Sequence, residues 1–389
     1  MAPAITLHEY LTRPNPTIQL QGNLAEYPCY TTNPEYPIPT YIRRWSEFNL
    51  KTISQLFGQR LQQTLHSKFH LHDFSHIHPS YCKIHDEDSL EALIVKSNQS
   101  IILESLEHTS QDLLFQGVSM VRGGQAQLYY TWRDHVKKTR SKQVEKKRGK
   151  WFPDWAGLVD VQHYNNILPG DTKLSKNWRS RDLKRLIAAK GQRIKKDDEG
   201  SNVIWPVRQL IHYCIESHMR YGYIITDEEL VVMRVGPLEE YSPGATLDEL
   251  HGAARESPVV EFQSIPWKRT PYSKALSVNL ALYVLFILAA NNGCLDWEYC
   301  SLVDEKLPTS RPKKSLCDEY PSFSTLSSSG VYSQGGSSNV EVHRQESLAT
   351  SSSTQMVGAA TTRLGRKRPR GVSSPQREEE GPQKGGTPF

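Results

Sequence analysis

Apolar positions in the first half of the chain change from helical to strand-like spacing. Between residues 87 and 108 they recur every three or four residues with glutamates interleaved, which predicts an amphipathic helix. Runs rich in β-branched and aromatic residues follow at 113–120 and 127–132, and Gly123-Gly124 separates them. That arrangement predicts a helix followed by a β-hairpin.

The second half repeats the alternation. Pro206 stands where a helix can begin without losing a hydrogen bond, and the apolar period predicts a helix to about Met219. A hairpin is predicted next, from residues 222–226 and 230–235. The most apolar segment, 275–290, has 16 residues, fewer than the ~20 that a bilayer requires, so we expect a buried helix. Together the elements predict an α/β domain.

The two ends of the chain differ from this middle part. Prolines keep the first 40 residues extended, and from Tyr41 a helical period carries Trp45, Phe48 and Ile53. Beyond residue 303 the composition turns to Ser, Gly, Thr and Pro with few aromatic residues, which is typical of disorder. We therefore predict an N-terminal extension over 1–85, which packs on the domain or on a partner, a domain over 86–302, and a disordered tail over 303–389.

Charge is distributed unevenly around this domain. Residues 133–150 hold nine Lys or Arg against two acidic residues, and residues 173–196 hold ten against one. Clusters of this kind suit a polyanion such as nucleic acid, although two solvated, mobile loops would have the same composition. The residues expected to contact nucleic acid are Lys146, Lys147, Arg148, Lys176, Arg179 and Arg181.

Location is indicated by three features. The six cysteines show no paired spacing, and the opening MAPAITLHEY has no apolar leader, so we expect a reduced, intracellular protein without a membrane association. A compact basic cluster near the end predicts a nuclear localisation signal, with a nonspecific polyanion contact as the alternative. Its residues are Arg366, Lys367, Arg368 and Arg370.

Between the basic windows lies the segment with the clearest chemistry, WFPDWAGLVDVQHYNNILPGDTK, residues 151–173. Asp171 and Lys173 are two apart, so on a strand their side chains project to the same side. If the segment around Asp154 pairs beside that strand, a second carboxylate joins them. Two carboxylates with a lysine beside them can hold a hard divalent cation.

A helical motif adds to this pattern, because Gln209 and Tyr213 are four apart and share a face of the predicted helix. Pro153-Asp154, then Asp171-Thr172-Lys173, then Gln209 to Tyr213, over roughly residues 86–300, resemble the fungal branch of the PD-(D/E)XK nuclease-like family. The resemblance implies a restriction-endonuclease-like core, with a central mixed sheet flanked by helices on both faces.

The resemblance also implies roles for these residues. Asp154, Asp171 and the Thr172 carbonyl would hold Mg²⁺ or Mn²⁺, and Lys173 would orient the attacking water. Gln209 and Tyr213 would position the scissile strand. A further acidic ligand is expected from the helix at 87–108; Glu104 is the candidate and Glu107 the rival, and an ordinary exposed glutamate is the alternative.

The implied activity is metal-dependent hydrolysis of phosphodiester bonds in nucleic acid, with DNA expected as the substrate. Two other functions stay open: a nucleic-acid-binding module of the same fold without turnover, and a protein-interaction scaffold that uses the tail. A protein kinase is disfavoured, because the sequence lacks a glycine-rich phosphate loop and the HRD and DFG motifs.

Overall fold

A computed structural model describes residues 4–22, 32–70, 77–110, 112–113, 118–122, 153–159, 166–194, 202–268 and 275–307. The predicted strand at 127–132, the predicted contacts Lys146, Lys147 and Arg148, the basic cluster at 366–370 and the tail beyond residue 307 lie outside these ranges. The strands are β1 (Ala4–Thr6), β2 (Gln19–Leu20), β3 (Tyr41–Arg44), β4 (Lys68–His70), β5 (Lys83–Ile84), β6 (Val118–Arg122), β7 (Trp155–Val159), β8 (Gly170–Thr172), β9 (Tyr221–Ile225), β10 (Glu229–Pro237) and β11 (Pro258–Pro266). The α-helices are α1 (Leu7–Leu11), α2 (Leu50–Gln55), α3 (Arg60–Leu65), α4 (Glu87–Ile94), α5 (Ser100–Thr109), α6 (Ser180–Lys190), α7 (Trp205–Glu216), α8 (Leu247–Glu256) and α9 (Val278–Asn292).

The central sheet of the described part has seven strands in the order β3-β11-β10-β9-β8-β7-β6. It is mixed: β3 runs parallel to β11 and β8 parallel to β9, while the other neighbouring pairs are antiparallel. Two further pairs, β1 with β4 and β2 with β5, lie apart from it. The predicted α/β class and central mixed sheet are therefore confirmed.

Helices cover both faces of the sheet because its central strands are apolar on both sides. Tyr223 and Ile225 of β9 face the core formed with α9, α4 and α5, whereas Ile224 between them faces the core formed with α6, α7 and α8. Side chains of a strand alternate between faces, which explains the division. Helix α9 is buried along most of its length, as predicted for 275–290, and no described helix is long and apolar enough to cross a membrane.

The predicted helices and hairpin in the middle of the chain are confirmed. The helix at 87–108 is present as α4 and α5, joined by a π-helical segment, Val95–Gln99. The helix predicted from Pro206 begins at Trp205 and ends at Glu216, shortly before His218, whose φ is 60°. The predicted hairpin is β9 with β10, in which Tyr223 is opposite Val232.

The N-terminal part differs from its prediction. Residues from Tyr41 start as strand β3, not as a helix, because Tyr41–Arg44 pairs in parallel with β11 and forms one edge of the sheet. Helices α2 and α3 follow as separate turns, since Phe57 and Gln59 between them have positive φ.

The predicted boundary between residues 85 and 86 does not divide the described structure. Leu7, Tyr10 and Trp45, from the predicted extension, are fully buried in the same core as α9. Both parts fall within one compact unit over 1–328, and a second unit, 329–389, lies outside the described residues. The 1–85 segment is therefore an integral part of the fold, because it supplies a sheet strand and core side chains.

Candidate functional site

Strand pairing brings the two predicted motifs together. β7 is antiparallel to β8 with Trp155 opposite Gly170, and the Trp155 indole N–H donates to the Thr172 hydroxyl at 2.9 Å. Asp154, immediately before β7, accepts a hydrogen bond from the backbone N–H of Thr172 at 2.7 Å. The expectation that the Asp154 segment pairs beside the Asp171 strand is confirmed.

Lys173 lies beside the second carboxylate. Its Nζ is 2.5 Å from Asp171 Oδ2 and donates to the Thr172 carbonyl at 3.0 Å. Asp171 is 1% exposed and Lys173 is 4% exposed. The predicted projection of Asp171 and Lys173 to the same side is therefore present, as a buried ion pair.

Burial and neighbouring charges shift the pKa values of Asp154, Asp171 and Lys173. Burial, and then the Asp171 carboxylate, raise the pKa of Asp154 to about 7, although Lys173 opposes the shift. Burial also raises the pKa of Asp171, again against Lys173. Burial alone would lower the pKa of Lys173, but the charges of Asp171 and Asp154 outweigh it and raise the pKa above its ordinary value. Lys173 is therefore cationic, and the two carboxylates compete for its charge.

A third carboxylate, Glu87, comes from the first turn of α4. It accepts hydrogen bonds from the Leu174 backbone and the Asn177 side chain, and burial raises its pKa. Its Oε1 atom is buried and has no hydrogen-bond partner among the described residues. The charge of Glu87 contributes to the raised pKa of Asp171, so Glu87 lies near the centre.

Glu104, the predicted helix ligand, is engaged elsewhere. Its carboxylate accepts a hydrogen bond from the Tyr10 hydroxyl at 2.5 Å, and its rival Glu107 is exposed. Glu91, one turn after Glu87, also lies close: burial and then Asp154 raise its pKa to about 7, and Arg122 Nε pairs with it at 2.5 Å. The structure thus brings the start of this helix, rather than its end, to the carboxylates.

Helix α7 contributes the predicted Gln209 and Tyr213 face. Gln209 Nε2 donates to the Tyr213 hydroxyl at 2.8 Å, and both side chains are buried. Burial, and then Asp171, raise the pKa of Tyr213 well above its ordinary value. The shared face is confirmed, and Tyr213 stays a neutral phenol within range of the Asp171 charge.

The N-terminal segment supplies a site residue that the sequence did not indicate. Tyr36 is 1% exposed and packs on the His212 ring at a centroid distance of 4.7 Å. Burial, and then Asp171, raise its pKa, and the charge of Lys173 opposes the shift. Within the described ranges the Tyr36 hydroxyl has no hydrogen bond of normal geometry. Tyr36 is therefore a buried hydroxyl within range of the Asp171 charge.

Arg208 holds the Tyr36 segment in place. Its Nη2 donates to the carbonyls of Pro34 at 3.0 Å and Tyr36 at 2.6 Å, and its guanidinium lies 4.0 Å from the centroid of the Trp205 ring. Because Arg208 is next to Gln209 on α7, one helix both anchors the segment and lines the site. A local sequence pattern does not predict a contact between residues so far apart in the chain.

Close packing against a neighbouring strand explains why a glycine, Gly170, precedes Asp171. A Cβ atom at residue 170 would lie 2.3 Å from the ring of Tyr223 on the neighbouring strand. Only glycine allows β8 to approach β9 this closely. The glycine thus permits the strand contact that fixes Asp171.

The predicted nucleic-acid contacts among the described residues, Lys176, Arg179 and Arg181, differ in exposure and in ion pairing. Arg181 is exposed on α6, and Lys176 is half-buried. Arg179 Nη2 pairs with Glu228 at 2.9 Å. Arg179 therefore has an intramolecular partner for its charge, whereas Arg181 faces solvent.

The donor atoms at this site are oxygens, the type of ligand that a hard divalent cation prefers. Among the described residues no group of three or more His, Cys, Asp and Glu side chains forms a ready-made metal shell. Oxygen donors are nevertheless present around Lys173: its Nζ contacts Asp171 and the Thr172 carbonyl, and the charges of Asp154 and Glu87 also act on it. Three carboxylates face one ammonium, and Mg²⁺ and Mn²⁺ prefer oxygen ligands. Lys173 occupies contacts with Asp171 and Thr172 that a cation would share.

The chain was also compared with known proteins. No family model matches it, and neither the curated proteins nor the solved structures contain a match.

Proposed function

We propose that this protein is a divalent-metal-dependent nuclease with a restriction-endonuclease-like core, and that its substrate is DNA. The observation that carries the proposal is the pair of the half-buried Asp154 and the buried Asp171, with the buried Lys173 beside them. A buried charge is costly unless it is paired, and here two carboxylates share one ammonium. Perturbed carboxylates of this kind mark candidate functional sites.

Asp154, Asp171 and the Thr172 carbonyl would hold Mg²⁺ or Mn²⁺, with Glu87 as the helix ligand in place of Glu104. When bound, the cation would neutralise charge on the phosphate and make a water molecule more acidic. Its positive charge would also offset the carboxylate repulsion. The raised pKa of Asp154 should then fall, because a nearby cation favours the ionised form.

The side chains of this protein would carry the remaining steps. Lys173, no longer needed by Asp171, would donate to the attacking water and stabilise negative charge on the phosphate. The water oxygen would bond to phosphorus and release a proton to solvent, the phosphorus–oxygen ester bond would break, and the leaving oxygen would take up a proton from solvent. Gln209 and the neutral phenol of Tyr213 would hold the strand by hydrogen bonds.

A second candidate is a nucleic-acid-binding module without turnover. The observation that favours it is the 2.5 Å contact between Lys173 and Asp171, with both side chains almost fully buried. In that case the lysine is a structural counter-ion, and removing it leaves an uncompensated buried carboxylate, which costs about 3–5 kcal/mol.

Calorimetric titration of Mn²⁺ separates the two candidates. A nuclease site should bind Mn²⁺, and Asp171→Asn should weaken binding at least about tenfold by removing a charged ligand. Lys173→Ala should bind at least as tightly as the wild type, because the competing ammonium is gone. A protein in which none of the three binds Mn²⁺, and in which Lys173→Ala merely unfolds earlier, would support the binding module.

A further inference from the structure

Helix α6 begins seven residues after Lys173 and has one strongly basic side. Leu183 is buried against the sheet, while Arg181, Lys184 and Arg185 are exposed. Positions i, i+3 and i+4 lie on one face of a helix, so these three cations form a compact row. We refer to Arg181, Lys184 and Arg185 as the basic face.

Few acidic groups balance this face. Asp182 is the one acidic residue within α6, and it pairs with Arg185 at 3.0 Å. A helix that is merely solvated usually alternates charges at i and i+4, which supports it by a few tenths of a kcal/mol per pair. Arg181 and Lys184 have no such acidic neighbour along the helix sequence, because residues 177, 180, 185 and 188 are Asn, Ser, Arg and Ala.

Two buried contacts fix the segment between Lys173 and the basic face. The Asp227 carboxylate accepts from the Ser175 backbone N–H at 2.6 Å and from its hydroxyl at 2.7 Å. The Glu229 carboxylate accepts in the same way from Ser180, at 2.7 and 2.6 Å. All four side chains are buried. Hydrogen bonds to ionised groups are the stronger ones, so α6 is held rigidly relative to Lys173.

We propose that the basic face binds the phosphate backbone of double-stranded DNA and sets it in register with the carboxylate centre. The choice of DNA as the ligand rests on the proposed function. The choice of the basic face rests on its exposure, its charge and the hydrogen bonds that connect α6 to the segment after Lys173. The basic face differs from the earlier set of contacts: it adds Lys184 and Arg185 and leaves out Arg179. Arg179 and Arg185 each have an acidic partner, but the Arg185 side chain is 74% exposed and that of Arg179 only 24%. Phosphate contacts position a protein on a duplex without reading its sequence, so binding here is expected at any sequence.

The test is the salt dependence of binding in EDTA, which prevents cleavage. A labelled duplex of about 20 base pairs is titrated with wild type and with Arg181→Gln/Lys184→Gln/Arg185→Gln between about 50 and 200 mM salt. Each lost phosphate contact lowers the slope of log affinity against log salt by about 0.9, so the slope should fall by about 2 to 3. Affinity at about 0.15 M salt should fall about a hundredfold.

A matched control removes three exposed charges from other elements, Lys51→Gln/Arg60→Gln/Lys83→Gln. This variant should keep the wild-type slope, and all three proteins should unfold at similar temperatures. An unchanged salt slope in the α6 variant, or an equal decrease of the slope in the control, would contradict the proposal that the basic face binds DNA. So would a variant that keeps its DNA affinity and instead loses binding to phosphatidylserine vesicles.

Failure of this inference is distinct from failure of the proposed function. A wild type that binds the duplex through α6 but cleaves nothing in Mn²⁺ overturns the nuclease and supports the basic face. A wild type that cleaves, together with an α6 variant of unchanged salt slope, overturns the basic face and supports the nuclease.

Discussion

Replacing Asp154 by asparagine should stabilise the metal-free protein at neutral and alkaline pH. The Asp154 carboxyl is half-buried, lies within range of the Asp171 and Lys173 charges, and accepts the Thr172 backbone N–H. Asparagine keeps an oxygen that can accept the Thr172 N–H but carries no charge. Its introduction therefore removes repulsion while retaining the hydrogen bond.

The magnitude follows from the pKa. A rise from 3.8 to about 7 is about 3 units, and at about 1.4 kcal/mol per unit the ionised carboxylate costs about 4 kcal/mol. Well below pH 3.8 the group is protonated in both the folded and the unfolded state, and the cost is absent. It grows as pH rises and is complete above about pH 7. Because the asparagine amide must itself be buried, we expect about 2 kcal/mol of gain, or about 5 °C in Tm.

Thermal unfolding in EDTA at about pH 5 and about pH 8 measures this gain. Asp154→Asn should exceed the wild type at the higher pH and approach it at the lower. The exposed Asp304→Asn is the matched control and should change little at either pH. Adding Mn²⁺ should raise the Tm of the wild type and not that of Asp154→Asn. A variant less stable than the wild type at pH 8, or a gap independent of pH, would refute the reasoning.

Three further outcomes are expected. Tyr36→Phe should lower the DNA cleavage rate about tenfold and leave the Tm unchanged. Tyr221→Phe is the control, because it also removes a buried hydroxyl that has no partner in the described part, and it should leave the cleavage rate unchanged. Equal cleavage rates for the two variants would contradict a role for Tyr36. Ser175→Ala should reduce kcat several-fold with an unchanged duplex Kd, because it loosens the Asp227 contact that fixes α6 to Lys173; a change in Kd alone would count against positioning. A fragment of residues 86–302 should show no cooperative unfolding in urea, because it lacks β3 and its share of the core, and a sharp transition would contradict the integral role given to the N-terminal part.

Local patterns predicted the elements that carry most of the site. The Gln209 and Tyr213 pair follows from helical spacing, and the Asp171 and Lys173 pair from strand spacing, so both could be anticipated from a few adjacent residues. The partner strand of Asp154 was also predictable, since β7 and β8 are close in sequence. Each of these contacts depends on short-range geometry.

Contacts between distant segments were not predictable in the same way. Tyr36 reaches the site because Arg208, 172 residues later, holds its carbonyl. The helical period between residues 87 and 108 shows which residues share a face but not which end of the helix meets β8, so it does not distinguish Glu87 from Glu104. The stretch from Tyr41 matched a helical stripe, but pairing with β11 stabilises it as a strand, which is a tertiary effect that overrides the local period.

The most direct test of the central claim is DNA cleavage by the purified full-length protein. Supercoiled plasmid and single-stranded DNA are incubated with Mn²⁺ or EDTA, using wild type, Asp171→Asn and Lys173→Ala. The account predicts cleavage by the wild type in Mn²⁺ only, none by Asp171→Asn, and a rate roughly 10²–10⁴ lower for Lys173→Ala. A wild type that cleaves neither DNA with any divalent cation, or a Lys173→Ala variant as fast as the wild type, would contradict it.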